Sequence, residues 1–166
     1  MTFRLPCIIN IKIMIEQPPF REYEESSTFE IDTPTAFALR EYIQDNNVGL
    51  AHAVNDMIDM GRFVYEAEGA GIVFAVEYPD GEGFYEADEA LFDTIRRVQR
   101  IEQAVRPDHQ IALDSIAGDL DKNRSEVLMM LVEKARTLRL QHRKKAVITM
   151  IAPDGSRRQL RFRREI

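Results

Sequence analysis

Arginines at alternate positions are the most pointed chemistry in this chain of 166 residues. Arg157, Gln159, Arg161 and Arg163 fall on one face of an extended segment, with Leu160 and Phe162 on the other. A row of guanidiniums can meet successive phosphates, and Lys144 and Lys145 stand at the start of the same hairpin to add to it. The same row also suits an edge strand kept soluble by its charge. Catalytic chemistry is harder to find. His52, His109 and His142 are isolated, none in a His-x-x-x-His spacing or beside a cysteine pair, so each is expected to pack or to face solvent. Cys7 sits in an apolar strand context with no base nearby in sequence, the setting of an inert buried thiol. Gly69 and Gly71 precede a strand and so do not form the strand-to-helix phosphate loop of a nucleotide site. Paired acids such as Glu24 and Glu25, or Asp88 and Glu89, are too common to single any out, and solvated charge explains them. The expectation is a non-enzymatic protein with no cofactor and no metal.

The basic residues are concentrated at one end. The whole chain has 22 Lys+Arg against 28 Asp+Glu, a net charge of -6, yet residues 1–120 hold 9 of the cations and 23 of the acids, and residues 121–166 hold 13 and 5. A basic end of this kind attracts a polyanion such as double-stranded DNA, or it docks on the acidic part of its own chain or of a neighbouring copy. With 45% hydrophobic and 30% charged residues, the chain is neither disordered nor fibrous. Its length allows one compact domain or two small ones to bury a core without staples. A single cysteine excludes a disulfide framework and points to a cytoplasmic setting. The most apolar stretch, 8–15, is broken by Asn10 and Lys12 and falls short of the ~18 residues of a membrane span, so no membrane association is expected.

The elements that must position these groups repeat along the chain. Tyr78-Pro79-Asp80-Gly81 recurs as Ala152-Pro153-Asp154-Gly155, an offset of 74 residues that aligns Ala38 with Ala112, Leu39 with Leu113, Asp45 with Asp119, Arg62 with Arg136 and Val73 with Val147, without a gap. Ala53, Val54, Met57, Ile58, Gly61 and Val64 fall on Val127, Leu128, Leu131, Val132, Ala135 and Leu138, and both sets have helical i, i+3, i+4, i+7 spacing. Each unit reads as two helices and a hairpin. The first unit has helices at 34–46 and 49–67. The second has a short helix at 111–120, a turn at Asp121 and Lys122, and a longer helix that starts from Asn123, with Glu126 completing a capping box, and runs to about Gln141. Strands are expected at 72–78 and 146–152, returning at 83–87 and 157–164 around Pro-Asp-Gly turns. Residues 3–15 read as an added strand and 16–27 as a linker.

Arg106-Pro107-Asp108-His109 through Leu113-Asp114, followed by Lys122-Asn123-Arg124-Ser125-Glu126-Val127-Leu128 and on to Ala135, resembles the ribbon-helix-helix family of small DNA-binding regulators. Phe29-Glu30-Ile31-Asp32-Thr33-Pro34 and the helices behind it look like a second, more divergent copy. The resemblance implies that a short strand before each helix pair forms a two-stranded ribbon that enters the major groove. It also implies that the start of the second helix holds a phosphate through backbone N–H groups. In the later copy the ribbon would be residues 100–106, with Arg100, Glu102, Ala104 and Arg106 outward, and the phosphate clamp would be Asn123, Arg124 and Ser125. In the earlier copy Thr28, Glu30 and Asp32 would point outward, and two carboxylates facing phosphates would be repelled, so that copy is not expected to read DNA unaided. Leu91, Ile95, Val98, Ile101 and Val105 recur at helical intervals, so a continuous helix over 88–105 is an equal alternative to the ribbon.

The expected architecture is therefore α+β: two duplicated helix-helix-hairpin units of ribbon-helix-helix type and an extra N-terminal strand. Residues 1–27 form the strand and linker, 28–90 an acidic first repeat and 91–166 a basic second repeat. The expected function is a DNA-binding regulator whose basic C-terminal unit contacts DNA, built as a homodimer or an intrachain pseudo-dimer. The alternative is a protein-interaction module, antitoxin-like or a phage or plasmid accessory protein, that uses matching acidic and basic faces, with a protein partner on the acidic half.

Overall fold

A computed structural model describes residues 26–79 and 98–162. In chain order these form β1 (Ser26–Ile31), α1 (Thr33–Asn46), α2 (Leu50–Gly69), β2 (Val73–Glu77), β3 (Gln99–Ala104), α3 (Pro107–Leu120), α4 (Arg124–Arg143), β4 (Val147–Ile151) and β5 (Arg157–Gln159). The fold is α+β, with four helices and two small antiparallel sheets among the described residues.

Local signals set the helix ends. Asp32 caps α1 by accepting from the Thr35 N–H at 2.9 Å. Asn123 and Glu126 close a reciprocal capping box on α4, at 2.9 and 3.0 Å. Asn47 and Asp121 both turn the chain with φ 52° and end α1 and α3. Gly71 and Lys145 also take positive φ, 80° and 56°; the lysine accepts a conformation that glycine adopts more cheaply. Every one of these positions lies 74 residues from its counterpart, and so do both ends of α1 and α3, of α2 and α4, and of β2 and β4.

The sheets join the two halves. β1 pairs antiparallel with β3, placing Thr28 opposite Glu102, and β2 pairs antiparallel with β4, placing Ala75 opposite Thr149. Each of these central pairs again joins residues 74 apart. β5 flanks β4 on its other side, giving the order β2-β4-β5. Between the two sheets lies the core, where α2 crosses α4. A Cβ on Gly61 would fall 2.1 Å from the Leu131 carbonyl oxygen, so this crossing requires a residue without a side chain. Phe29 and Ile31 from β1, Leu113 from α3 and Ile148 and Met150 from β4 close the same core. Alternation along β1 buries Ser27, Phe29 and Ile31 and exposes Ser26, Thr28 and Glu30.

Several expectations are corrected. Residues 99–104 are a strand and not part of a helix: the ladder to β1 sets Ile101 against Phe29, while Val98, a member of the helical series, is 73% exposed. β1 begins at Ser26, inside the segment read as linker. α3 starts at Pro107 rather than at residue 111, because proline is well placed in a first helical turn. β5 stops at Gln159. The expected strands at 3–15 and 83–87 lie outside the described residues, as does Arg163.

Candidate nucleic-acid interface

The exposed face of the β1–β3 ribbon presents Ser26, Thr28 and Glu30 from one strand and Arg100, Glu102 and Ala104 from the other. Arg100 sits directly across from Glu30, and the Ser26 hydroxyl donates to Glu102 at 3.1 Å. Two carboxylates and one guanidinium leave this face with a negative balance.

The remaining ribbon and clamp residues are engaged inside the molecule. Arg106 does not continue the outward row, because β3 ends at Ala104 and Arg106 becomes the cap position of α3. Its guanidinium is 3.0 Å from Asp108 and 3.8 Å from Asp59. Asp32 likewise turns from the ribbon to cap α1. In the clamp, the Asn123 side chain accepts from the Glu126 N–H. The Ser125 hydroxyl oxygen accepts from the Glu30 N–H at 2.9 Å, tying the start of α4 to the ribbon. Arg124 Nε lies 2.9 Å from Asp114.

Most of the helix-borne cations are also matched. Arg139 and Arg143 meet Asp45, Arg143 meets Glu41 at 2.9 Å, and Arg136 stands 3.7 Å from Glu41. Lys134 reaches Glu68 at 3.0 Å. The basic face of α4 is thus laid on acids of α1 and α2, and Arg139 also stacks over the Tyr42 ring at 4.5 Å. Lys144, Lys145, Arg157 and Arg161 are different: they are exposed, and no carboxylate of the described residues lies within ion-pair distance. They sit at the far end of α4 from the ribbon, a separation of about 30 Å for 20 helical residues. The two expected contact surfaces are therefore opposite ends of the molecule.

Sequence reasoning missed a buried polar node beneath β3. His109 is fully buried in α3, with Nδ1 2.9 Å from Asn55 Oδ1 and Nε2 2.7 Å from Asp59. Asn55 donates to the carbonyls of Ala51 and Ala104 and accepts from the Arg106 N–H. This amide therefore fastens the end of β3 to α2, and both histidine nitrogens face oxygen acceptors. Asp56, the residue after Asn55, is buried, accepts from the Tyr42 hydroxyl at 2.7 Å, and has no partner on Oδ1. Burial pushes its carboxyl up to about 7, against the Tyr42 hydrogen bond that lowers it, with Asp59 adding to the rise. The available signal was positional. Asn55, Asp56 and Asp59 interrupt the apolar series of α2 at positions close to the buried stripe, and His109 follows Pro107 in the first turn of α3.

Among the described residues no helix is long and apolar enough to cross a membrane. No three histidine, cysteine or acidic side chains of those residues converge as a metal site. No protein family, no curated protein and no solved structure matches this chain.

Proposed function

We propose that this chain is a non-enzymatic DNA-binding regulator on a ribbon-helix-helix core formed within one molecule, and that its phosphate contacts come from the basic end around β5. The core reading is supported by the ribbon of β1 and β3 and by the common 74-residue offset, which together fit two copies of one unit related by an approximate twofold through Thr28–Glu102 and Ala75–Thr149. The DNA reading is carried by the partition of charge. Arg136, Arg139, Arg143 and Lys134 are spent on Glu41, Asp45 and Glu68, whereas Lys144, Lys145, Arg157 and Arg161 remain open to solvent. Non-specific duplex binding draws essentially all of its free energy from exposed cations such as these, which meet no carboxylate among the described residues.

Four phosphate contacts imply a log–log salt slope of about -3.5 on duplex DNA. Anisotropy titrations of a labelled duplex across a salt series test this. The expected result is micromolar binding at low salt that weakens steeply, with the slope reduced by about 1 for each of Lys144→Ala, Lys145→Ala, Arg157→Ala and Arg161→Ala. A duplex that fails to bind at low salt overturns the reading.

The acidic ribbon favours a second reading, a protein-interaction module, because Glu30 and Glu102 suit a basic partner better than a phosphate backbone. The double variant Glu30→Lys, Glu102→Lys tests whether the ribbon itself touches the duplex. It leaves duplex affinity nearly unchanged if the β5 end makes the contacts and raises it strongly if the ribbon does.

A further inference from the structure

Arg136, Arg139 and Arg143 stand at i, i+3 and i+7 of α4, on the face turned to α1. Two carboxylates of α1 meet them there. Glu41 lies 2.9 Å from one arm of the Arg143 guanidinium and 3.7 Å from Arg136, while Asp45 lies 2.9 Å from Arg139 and closes on the other arm of Arg143. The Arg143 fork is therefore held by two anionic oxygens, as two phosphate oxygens would hold it. Arg143 is also the most accessible of the three, at 43% exposure against 23% for Arg136 and 15% for Arg139. It ends α4 and is followed directly by the open Lys144 and Lys145.

The packing of the helices does not require these pairs. Under the 74-residue offset α2 and α3 are the counterparts of α4 and α1. Arg139 and Arg143 then fall on Tyr65 and Gly69, and Glu41 falls on Ser115. Arg62 and Asp119 keep the charges of Arg136 and Asp45, but Arg62 pairs with Glu66 of its own helix at 2.8 Å. Among the described residues no ion pair joins Ser115 or Asp119 to α2. The same helix pair is thus built on one flank with this charge cluster and on the other without it, and partly exposed pairs of this kind add little to stability. The cluster lies on the flank whose helix runs into the open cations.

We propose, resting on the duplex binding inferred above, that Glu41 and Asp45 are an internal substitute for phosphate. They form an autoinhibitory contact that withholds the arginine face of α4 from a polyanion and confines binding to the cations around β5. With both acids ionised, three guanidiniums face two carboxylates and the end of α4 contributes little to the field outside. With both acids neutral, three unopposed cations run on into Lys144 and Lys145. A duplex then gains a phosphate contact at Arg143, and the less accessible Arg136 and Arg139 add to the attraction without touching it.

Anisotropy titrations of a labelled DNA duplex over a salt series compare the full chain with the double variant Glu41→Gln, Asp45→Asn. The variant should bind at least tenfold more tightly at low salt, with a log–log slope steeper by about 1. Asp119→Asn, Asp121→Asn removes the same charge at the exposed end of α3 and should leave the slope unchanged. Arg143→Ala should leave the slope of the parent unchanged and cancel the added slope of the double variant. Equal slopes for parent and double variant, or an equal gain from the α3 variant, would overturn the proposal. So would a parent slope already reduced by Arg143→Ala, a result that stands even if the double variant fails to give the parent's circular dichroism spectrum. A parent that ignores the duplex while the double variant binds it overturns the duplex reading and sustains the autoinhibitory contact, and a duplex bound by neither overturns both.

Discussion

Replacing Asp56 with asparagine should remove a pH dependence that is built into α2. The Asp56 carboxyl rises from 3.8 to about 7 in the folded protein, chiefly because burial disfavours its charged form. An acid whose folded value is raised holds its proton more tightly in the native state. Its contribution to stability is fully present below pH 3.8 and is lost as the pH climbs through about 7, after which it is level. The whole shift corresponds to about 4 kcal/mol, of which more than half falls between pH 5 and pH 8. Little of this is discounted for solvent screening, since Asp56 is only 1% exposed. Asp56→Asn keeps an oxygen to accept from Tyr42 and cannot ionise, but it places an amide where Oδ1 now has no partner, at a cost of about 1–3 kcal/mol. The variant should therefore be more stable than the parent at pH 8 by about 1–3 kcal/mol and no more stable at pH 5. Urea unfolding of both proteins at the two pH values measures the difference, because all other titrating groups cancel. An equal difference at pH 5 and pH 8 would refute the reasoning.

Other perturbations probe other parts of the fold. Gly61→Ala forces a methyl group into the Leu131 backbone and should cost at least about 2 kcal/mol, seen as a lowered urea midpoint. His109→Ala leaves Asn55 and Asp59 without their buried partner and should cost about 3 kcal/mol, with faster hydrogen exchange at Arg106, whose N–H is bonded to Asn55. Asn123→Ala removes one half of the capping box and should lower stability by about 1 kcal/mol in thermal unfolding. Arg143→Ala, at an exposed ion pair, should shift the unfolding midpoint by less than about 1 kcal/mol, and added salt should shrink that effect.

Periodicity made the helices legible. The apolar stripes of α2 and α4, the Asn123 box and the Pro-Asp-Gly turn are local signals, and the constant offset between halves linked them before any contact was known. The ribbon was ambiguous for a physical reason. Ile101 satisfies a helical interval on its own strand's sequence and a strand interval against Phe29, and the ladder that decides between them comes from a residue 72 positions away in sequence. Arg106 read as an outward cation by strand alternation and Arg124 as a phosphate clamp by resemblance, and neither signal says which acid a guanidinium will meet. Asp59 and Asp114 capture them through tertiary and inter-helix geometry. His109 was illegible for the same reason, since its partners lie in α2, 54 and 50 residues upstream.

Holding both strands of the ribbon in one polypeptide changes what mutation can do. In a symmetric homodimer each substitution strikes twice, and the site on the axis must always face its own image. Here Thr28 faces Glu102, and Thr35 and Asp56 stand 74 residues from His109 and Met130, unlike residues in each case, so either flank can change without the other. The tether also makes strand pairing first-order, independent of dilution, so a scarce protein keeps its ribbon as well as an abundant one.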